Sequence, residues 1–161
     1  MDKIIVCTYD EGLLPEKKTP GAVCWDMRAS LDFEVQPGEV RLISAWFKTY
    51  IPLGWCAKFY ARSWMPTKSL LMQWNNIAIM DPDYRGEYLM QMYNFTKDAV
   101  KHEKYTRLCQ IEFSPYWHEW KFGTDYVPEI EFIVDKDLYD KFDEHYASER
   151  WTGWIWSTWH K

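Results

Sequence analysis

Alternation of apolar and polar residues dominates the first two-thirds of the chain. Ile4 and Val6 share one face of DKIIVCTY, and the stretches WCAKFYARS, EYLMQMYNF and YTRLCQIEF alternate in the same way. The stretch EVRLISAWFKTYIP is rich in β-forming residues and ends at Pro52. A period of two residues is that of a strand with one buried face. The pattern therefore predicts a series of short strands.

Turns rich in proline and glycine separate these strands. They stand at LLPEKKTPG, QPGE, PLG and DPDYRG, at intervals of about ten to fifteen residues. Short strands with such regular turns are typical of an all-β barrel or jelly roll. We therefore predict an all-β fold, a barrel or a jelly roll, over residues 1–147.

One segment follows a different period. In DKDLYDKFDEHYASER the apolar residues recur at the spacing of a helix face, at Leu138, Tyr139, Phe142 and Tyr146. We predict a short helix there, inside an insertion near residues 114–147. Residues 148–161 are predicted to form a flexible C-terminal arm.

Composition and charge limit the classes of function. The chain has 161 residues, 47% of them hydrophobic, which suits one domain with a core. No stretch approaches 18 uncharged apolar residues, and the N-terminus carries acids where a signal peptide is basic, so we expect a cytoplasmic protein without a membrane partner. A net charge of -5 argues against general nucleic-acid binding, although a small anionic ligand depends only on local charge.

Neither cysteine nor histidine spacing predicts a metal site. The cysteines are scattered and form no C-x-x-C pair, so reduced thiols are expected rather than zinc ligands. The histidines show no ligand spacing, and each is predicted to be solvated: His102, His118, His145 and His160.

The stretch NNIAIMDPDYRGEY carries the strongest chemical signal. Pro82 and Gly86 frame a tight turn between two strands, which places Asp81, Asp83 and Tyr84 on a hairpin. Aspartates often cap their own turns, and a tyrosine by itself is often a packing residue. A functional interpretation therefore needs other segments.

Other segments add groups that suit a phosphate. Arg62 and Ser63 leave a strand together and offer a fork of donors and a hydroxyl, although this pair is common. Asp26 follows a turn, and RLCQIEF contains Arg107 and Gln110. The arm adds further polar residues at Arg150, Ser157 and Thr158.

Taken in order, these segments resemble the five motifs of the trimeric deoxyuridine triphosphatase (dUTPase) family, which splits dUTP into dUMP and pyrophosphate. The matches are A-G-x-D-L-R-A at Asp26, R-S-G at 62–64, G-N-x-x-x-x-I-D-x-D-Y-R-G-E at 74–87, R-I-A-Q-L at 107–111 and R-G-x-G-G-F-G-S-T-G at 150–159. The resemblance spans residues 20–161 apart from the insertion. It implies a distorted jelly-roll β-barrel of the dUTPase type and a hydrolase of nucleotide metabolism.

The resemblance implies a role for each matched residue. Asp81 would be the general base that activates a water for attack on the α-phosphorus. Tyr84 would pack under the deoxyribose and exclude a 2′-hydroxyl, and Ile155 would lie over the uracil, where many members have phenylalanine. The backbone around Asn75, Ile79 and Met80 would read the uracil edge. Phosphate or water contacts would come from Arg62, Ser63, the amide of Trp64, Gln110, Arg150, Ser157 and Thr158.

The resemblance also implies a cofactor and an assembly. Asp26 would bind a water of a Mg²⁺ shell, and an outer-sphere carboxylate is enough because Mg²⁺ keeps most of its waters. The family forms homotrimers in which one chain gives the second and fourth motifs, a neighbour gives the Asp81 hairpin, and the third chain's arm closes the site. The expected partners are dUTP or dUMP and two further copies of the chain.

Tryptophan occupies seven positions at which the family has glycine. The chain contains 11 Trp and only 7 Gly. The seven positions are Trp46, Trp64, Trp74, Trp151, Trp154, Trp156 and Trp159. We hypothesise a decoding artefact, because UGA is read as glycine in some genetic codes and as tryptophan in others. If the indoles are real, they would screen the backbone amides of the arm, and hydrolysis would be lost.

Two other functions remain open on the same scaffold. A dCTP deaminase relative would need a glutamate acting at C4 of cytosine. A non-catalytic nucleotide-binding or regulatory protein would use the 114–147 insertion as its partner surface. Intact Asp81 and Tyr84 favour catalysis, and the lost glycines favour the regulatory alternative.

Overall fold

A computed structural model describes residues 3–116 and 128–147. This part of the chain is built from strands with little helix. The strands are β1 (Lys3–Thr8), β2 (Trp25–Arg28), β3 (Phe33–Val35), β4 (Val40–Ser44), β5 (Phe47–Tyr50), β6 (Trp55–Ala61), β7 (Leu71–Gln73), β8 (Ile77–Met80), β9 (Leu89–Asn94), β10 (Val100–His102), β11 (Arg107–Pro115) and β12 (Glu129–Val134). A 3-10 turn covers Glu11–Leu13, a π turn covers Met65–Ser69, and two α-helices close the segment, α1 (Lys136–Asp140) and α2 (Phe142–His145).

The strands form four small sheets. Their orders are β12-β1-β5, β10-β3, β2-β11-β6-β8 and β4-β9-β7. The pairing of β1 with β12 is parallel, and the other pairings in these sheets are antiparallel. This arrangement confirms the predicted all-β fold of jelly-roll type.

Strand β1 separates two apolar clusters. Ile4 and Val6 face the main core, whose largest side chains include Phe47, Phe59 and Tyr88. Ile5 and Cys7 face the other way, and Tyr139 and Phe142 of the two helices cover them. Because both faces of β1 are buried, the helices are part of the folded unit rather than an appendage.

The stretch EVRLISAWFKTYIP forms two strands instead of one. The break falls at Trp46, whose φ of 48° lies in the left-handed region. Thr8 Oγ1 donates to the Trp46 carbonyl at 2.7 Å, and the Trp46 amide donates to Ser44 Oγ at 3.0 Å. These contacts hold a backbone conformation that favours glycine, since a Cβ crowds the following carbonyl there.

We expect Trp46→Gly to be more stable than Trp46→Ala by about 1 kcal/mol in the free energy of unfolding. Both variants lose the ring that stacks on Tyr9, so the difference isolates the backbone strain. Urea denaturation measures it. The control is the same pair of substitutions at Trp64, whose φ is -87°, where alanine should be at least as stable as glycine. Equal stability at position 46 would contradict the strain.

The predicted helix differs from the structure. The helix is two short helices: the Asp135 side chain caps α1 by accepting from the Leu138 amide at 2.9 Å, and α1 ends before α2 begins at Phe142. The insertion contains β12, which was not predicted and which pairs with β1 along its whole length. The alternation of glutamate and apolar residues in EIEFIV is a local strand signal that could have identified β12, whereas its partner β1 lies far away in the chain.

The cysteines agree with the expectation from the sequence, and one histidine does not. All four cysteines are free, and three of them are buried, as expected. His102 was expected to be solvated, but it is half-buried, packs on Phe33 and places Nε2 2.9 Å from the Ser69 carbonyl. In the ranges 3–116 and 128–147 no helix has the length and hydropathy to cross a membrane.

Candidate active site

Two of the predicted site residues, Asp26 and Gln110, lie side by side on one face of the sheet β2-β11-β6-β8. The strand register places Asp26 opposite Gln110, Gln110 opposite Tyr60, and Tyr60 opposite Ile77. Because residues in register across adjacent strands point to the same side, these four side chains form one row.

A carboxylate between two arginines forms one end of this face. Asp26 Oδ1 lies 2.7 Å from Arg62 Nε, and Oδ2 lies 2.9 Å from Arg107 NH1. Asp26 is only 8% exposed, whereas both guanidinium groups reach solvent. The cluster therefore carries one net positive charge and presents planar donors of the kind that bind phosphate.

The residues after Arg62 turn away from the sheet. The Met65 amide donates to the Arg62 carbonyl at 2.9 Å, which places Ser63 and Trp64 in an exposed turn. The Trp64 indole is 57% exposed, with Lys68 Nζ 4.6 Å from the ring centroid. An indole therefore stands at the surface beside the arginine cluster.

Residues 81–87, called here the Asp81 corner, connect β8 to β9. The two strands do not pair with each other, since β8 pairs with β6 and β9 pairs with β4 and β7. The predicted hairpin is therefore wrong: the chain crosses from one sheet to another. Whether the two strands beside a turn pair with each other depends on long-range contacts. A turn motif in the sequence therefore does not distinguish a hairpin from a crossing between sheets.

The buried side chain of Arg85 forms hydrogen bonds to the backbone of the Asp81 corner. It is 5% exposed, and its NH1 donates to the carbonyls of Pro82 at 2.6 Å and Tyr84 at 3.0 Å. Burial lowers the pKa of Arg85, but a guanidinium keeps its charge in proteins. Asp81 is exposed and lines a cavity of about 820 Å³ together with Asp83 and Arg85.

The Tyr84 side chain contacts other residues of the Asp81 corner. Its hydroxyl donates to the Glu87 carbonyl at 2.9 Å, and its half-buried ring covers Gly86. A Cβ on Gly86 would lie 2.6 Å from Tyr84 Cζ, so a larger residue there would displace the ring. The tyrosine ring is thus fixed from two sides.

Strand β8 offers backbone groups at a sheet edge. Within the described residues it pairs with β6 on one side only. Ile79 is exposed and Met80 is half-buried on this strand, and Asn75 precedes it and accepts from Gln73 Nε2 at 3.1 Å. An unpaired strand edge can supply donors and acceptors to a planar ligand.

The Asp81 corner and the arginine cluster lie at opposite ends of the same face. Met80, the residue before Asp81, stands opposite Ala57 near one end of β6, and Arg62 directly follows the other end of β6. At roughly 3.3 Å per residue, the two ends are about 20 Å apart. One chain therefore does not bring Asp81 to Arg62, Asp26 and Gln110. The predicted arm residues Arg150, Ile155, Ser157 and Thr158 lie outside the described residues.

The fold and the site geometry define the class of protein. It is a jelly-roll protein with an arginine cluster at one end of a sheet face and an acidic corner at the other. The family model dUTPase matches residues 10–132, and the chain belongs to the dUTPase family. A deoxyuridine 5'-triphosphate nucleotidohydrolase of Lactococcus lactis is 33% identical over 109 residues, which are 64% of this chain and 73% of that protein. One of Chlamydia pneumoniae is 33% identical over 114 residues, covering 69% and 79%.

Solved structures agree with this assignment. The crystal structure of a dUTPase from Streptococcus mutans superposes with a TM-score of 0.67 at 29% identity and covers 70% of this chain and 92% of that chain. A dUTPase of Staphylococcus aureus phage phi11, described with a structural Mg(II) ion, gives a TM-score of 0.65 at 16% identity and covers 78% and 98%. At that identity the phage protein supports the fold alone.

Proposed function

We propose that this member of the dUTPase family hydrolyses dUTP to dUMP and pyrophosphate at a site shared between copies of the chain. The observation that carries the proposal is the placement of an exposed Asp81 and the Arg62–Asp26–Arg107 cluster at opposite ends of one sheet face. A second copy that turns its Asp81 corner toward this cluster would complete the site. The homotrimer of the family is the assembly we propose.

The chemistry follows from the residue types. Asp81 is the general base: an exposed carboxylate in a ligand-sized cavity can accept a proton from the attacking water. Arg62 and Ser63 bind the phosphates, with the amide of Trp64, and Gln110 helps to bind phosphate or the water. From the arm, Arg150, Ser157 and Thr158 close over the nucleotide, and Ile155 covers the base.

The nucleotide is recognised at the Asp81 corner and along β8. The edge of β8 with Asn75, Ile79 and Met80 reads the uracil through its backbone, which refuses cytosine because the donor and acceptor pattern of cytosine is reversed. The fixed ring of Tyr84 packs under the deoxyribose and leaves no space for a 2′-hydroxyl.

The residues fit Mg²⁺ as part of the substrate rather than as a resident ion. Both Asp26 oxygens already face guanidinium groups, and the cluster is net positive, so a free cation is repelled. The remaining lone pairs of Asp26 can accept from a water in the shell of an ion that arrives with dUTP. Such an ion offsets charge on the triphosphate. In the described residues no group of three or more acidic, histidine or cysteine side chains could hold a metal.

The regulatory alternative also has an observation in its favour. Trp64 and Trp74 are 57% and 59% exposed beside the arginine cluster and the approach to β8, where a nucleotide needs room. A non-catalytic nucleotide-binding protein would tolerate this. The dCTP deaminase alternative is weaker, because the acids in the Asp81 corner that line the cavity are aspartates.

A mixing experiment tests the shared site. Asp81→Asn and Arg62→Gln should each be inactive alone, because each removes one half of every site. Mixed oligomers, made by refolding the two variants together, should recover roughly a quarter of the parent rate of pyrophosphate release from dUTP, since about one site in four then combines two intact halves.

The controls separate this result from other causes. Each variant refolded alone should stay inactive, and dCTP should give no pyrophosphate with any sample. If the mixture is no more active than its components although mass spectrometry shows mixed oligomers, Asp81 and Arg62 do not meet across copies. Parent activity on dCTP rather than dUTP would contradict the proposed substrate.

A further inference from the structure

The two C-terminal helices contact the Asp81 corner at two points. We call residues 135–147 the α1–α2 segment. The segment lies beyond residues 10–132, which match the family model. The parallel pairing of β12 with β1 carries the chain to this position, and the Asp135 amide continues the pairing by donating to the Thr8 carbonyl at 2.9 Å.

The first contact joins Tyr139 of α1 to Glu87. Tyr139 is 7% exposed and packs edge-on against Tyr9, with ring centroids 4.9 Å apart. Its hydroxyl donates to Glu87 Oε2 at 2.9 Å, while the other Glu87 oxygen accepts from the Ser44 hydroxyl. Burial raises the pKa of Tyr139, and the nearby Glu87 carboxylate raises it further. The phenol therefore keeps its proton and remains a donor.

Glu87 connects Tyr139 to Tyr84. The Glu87 backbone carbonyl accepts the Tyr84 hydroxyl, while its side chain is held by Tyr139 and Ser44. A shift of Glu87 would move the carbonyl that accepts from the Tyr84 hydroxyl. The position of the ring that faces the sugar thus depends on a residue of α1.

The second contact joins the end of α2 to Arg85. Arg85 Nε donates to the Tyr146 carbonyl at 2.7 Å, and its NH1 binds the carbonyls of Pro82 and Tyr84. The Tyr50 ring contacts both partners: it lies 5.0 Å from the Arg85 guanidinium and 5.1 Å from the Tyr146 ring. Because a guanidinium is rigid and planar, fixing one of its edges fixes the carbonyls on the other.

We propose that the α1–α2 segment is a clamp that positions the Asp81 corner. Tyr139 is a positioning residue for Tyr84 and for the discrimination between deoxyribose and ribose. Tyr146 is a positioning residue for the turn that carries Asp81. The roles in turnover rest on the proposed function. Ala147, the next residue, lines the Asp81 cavity, so the clamp also fixes the point from which the arm begins.

Tyr139→Phe tests the first contact, because it removes one hydroxyl and keeps the buried ring. A hydrogen bond to a charged group is worth enough to change a local equilibrium about tenfold. Amide hydrogen exchange in a peptide covering 77–90 should therefore be about tenfold faster than in the parent. The preference for dUTP over UTP in kcat/KM should fall by a similar factor.

The matched control is Tyr105→Phe. The Tyr105 hydroxyl donates to Asp10 Oδ2 at 2.9 Å, so the same kind of bond is lost away from the corner. Exchange in 77–90 and the preference for dUTP should both stay at parent values in this variant. If Tyr139→Phe lowers the melting temperature as much as Tyr105→Phe does, but changes neither readout, Tyr139 is merely structural and the proposal fails.

Tyr146→Ala tests the second contact, with Tyr146→Phe as the conservative partner. Alanine removes the ring that rests on Tyr50 and Phe142, whereas phenylalanine keeps it. We expect Tyr146→Ala to lower kcat about tenfold and to speed exchange in 77–90, and Tyr146→Phe to restore both. Parent kcat and parent exchange in Tyr146→Ala would overturn the second half of the clamp.

Failure of the clamp and failure of the proposed function give different experimental results. Exchange is measured in the chain as it stands, and turnover both there and in the chain with glycine at the seven tryptophan positions. If neither parent releases pyrophosphate from dUTP, the proposed function and the role of Tyr139 in discrimination both fail, whatever the exchange shows. If a parent is active and the variants match it in both readouts, the clamp alone is overturned.

Discussion

Replacing Asp81 by asparagine is expected to lower kcat for pyrophosphate release from dUTP by about 10²–10⁴-fold. Asparagine has nearly the same shape, but its amide cannot accept a proton from the attacking water. Binding should be little affected, because Asp81 acts on the water rather than on the phosphates. Single-turnover rates and the Kd of a non-hydrolysable dUTP analogue separate these two effects.

The matched control for this variant is Asp83→Asn. Asp83 lines the same cavity two residues along the corner, so the substitution removes the same charge from the same place. Its kcat should remain within a few-fold of the parent, in keeping with a turn-forming role. Full activity of Asp81→Asn, or equal losses in both variants, would contradict the assignment of Asp81 as the base.

The predicted stretches contain six of the twelve strands, β1, β4, β5, β6, β9 and β11, because alternation and turn residues are local signals. The stretch WCAKFYARS became β6, and YTRLCQIEF became β11. The Asp81 turn was also located correctly by Pro82 and Gly86. Its description as a hairpin was wrong, since the partners of β8 and β9 lie far away in the chain. Local pattern specifies where a strand is, and tertiary pairing specifies which strand it meets.

The sequence predicted candidate residues for the site but not the contacts among them. The motifs identified Asp26 and Arg62, but no spacing predicts that Asp26 binds two arginines at once. Tyr139 was noted only as part of a helix face, although its hydroxyl reaches Glu87 of a motif 52 residues away. Contacts of this kind depend on the packing of β12 against β1, which brings the helices to the corner.

The tryptophans at glycine positions do not all conflict with the backbone. Trp46 adopts a φ of 48° and therefore occupies a conformation suited to glycine. Trp64 has a φ of -87°, and its conflict is one of space, since its indole stands beside the amide proposed to bind phosphate. The Trp74 ring packs on Tyr93 with centroids 5.0 Å apart. Within the described residues, conformation at Trp46 and the exposed position of the indole at Trp64 support the decoding hypothesis.

Restoring glycine at all seven positions is expected to raise kcat/KM for dUTP at least ~10²-fold, because each backbone amide that reaches a developing charge is worth about that much. Trp46→Gly alone should change stability and leave turnover unchanged. The arm set of Trp151, Trp154, Trp156 and Trp159, changed together, should account for most of the gain, since a glycine-rich backbone can approach phosphate and an indole-covered one cannot. Steady-state pyrophosphate release from the three variants (all seven positions, position 46 alone, and the arm set) measures this.

Equal turnover with and without the indoles would show that the arm tolerates them. UGG codons at the seven positions in the gene would refute the decoding hypothesis. A gain confined to the arm set would locate the effect at the phosphates, because the barrel positions do not share in it.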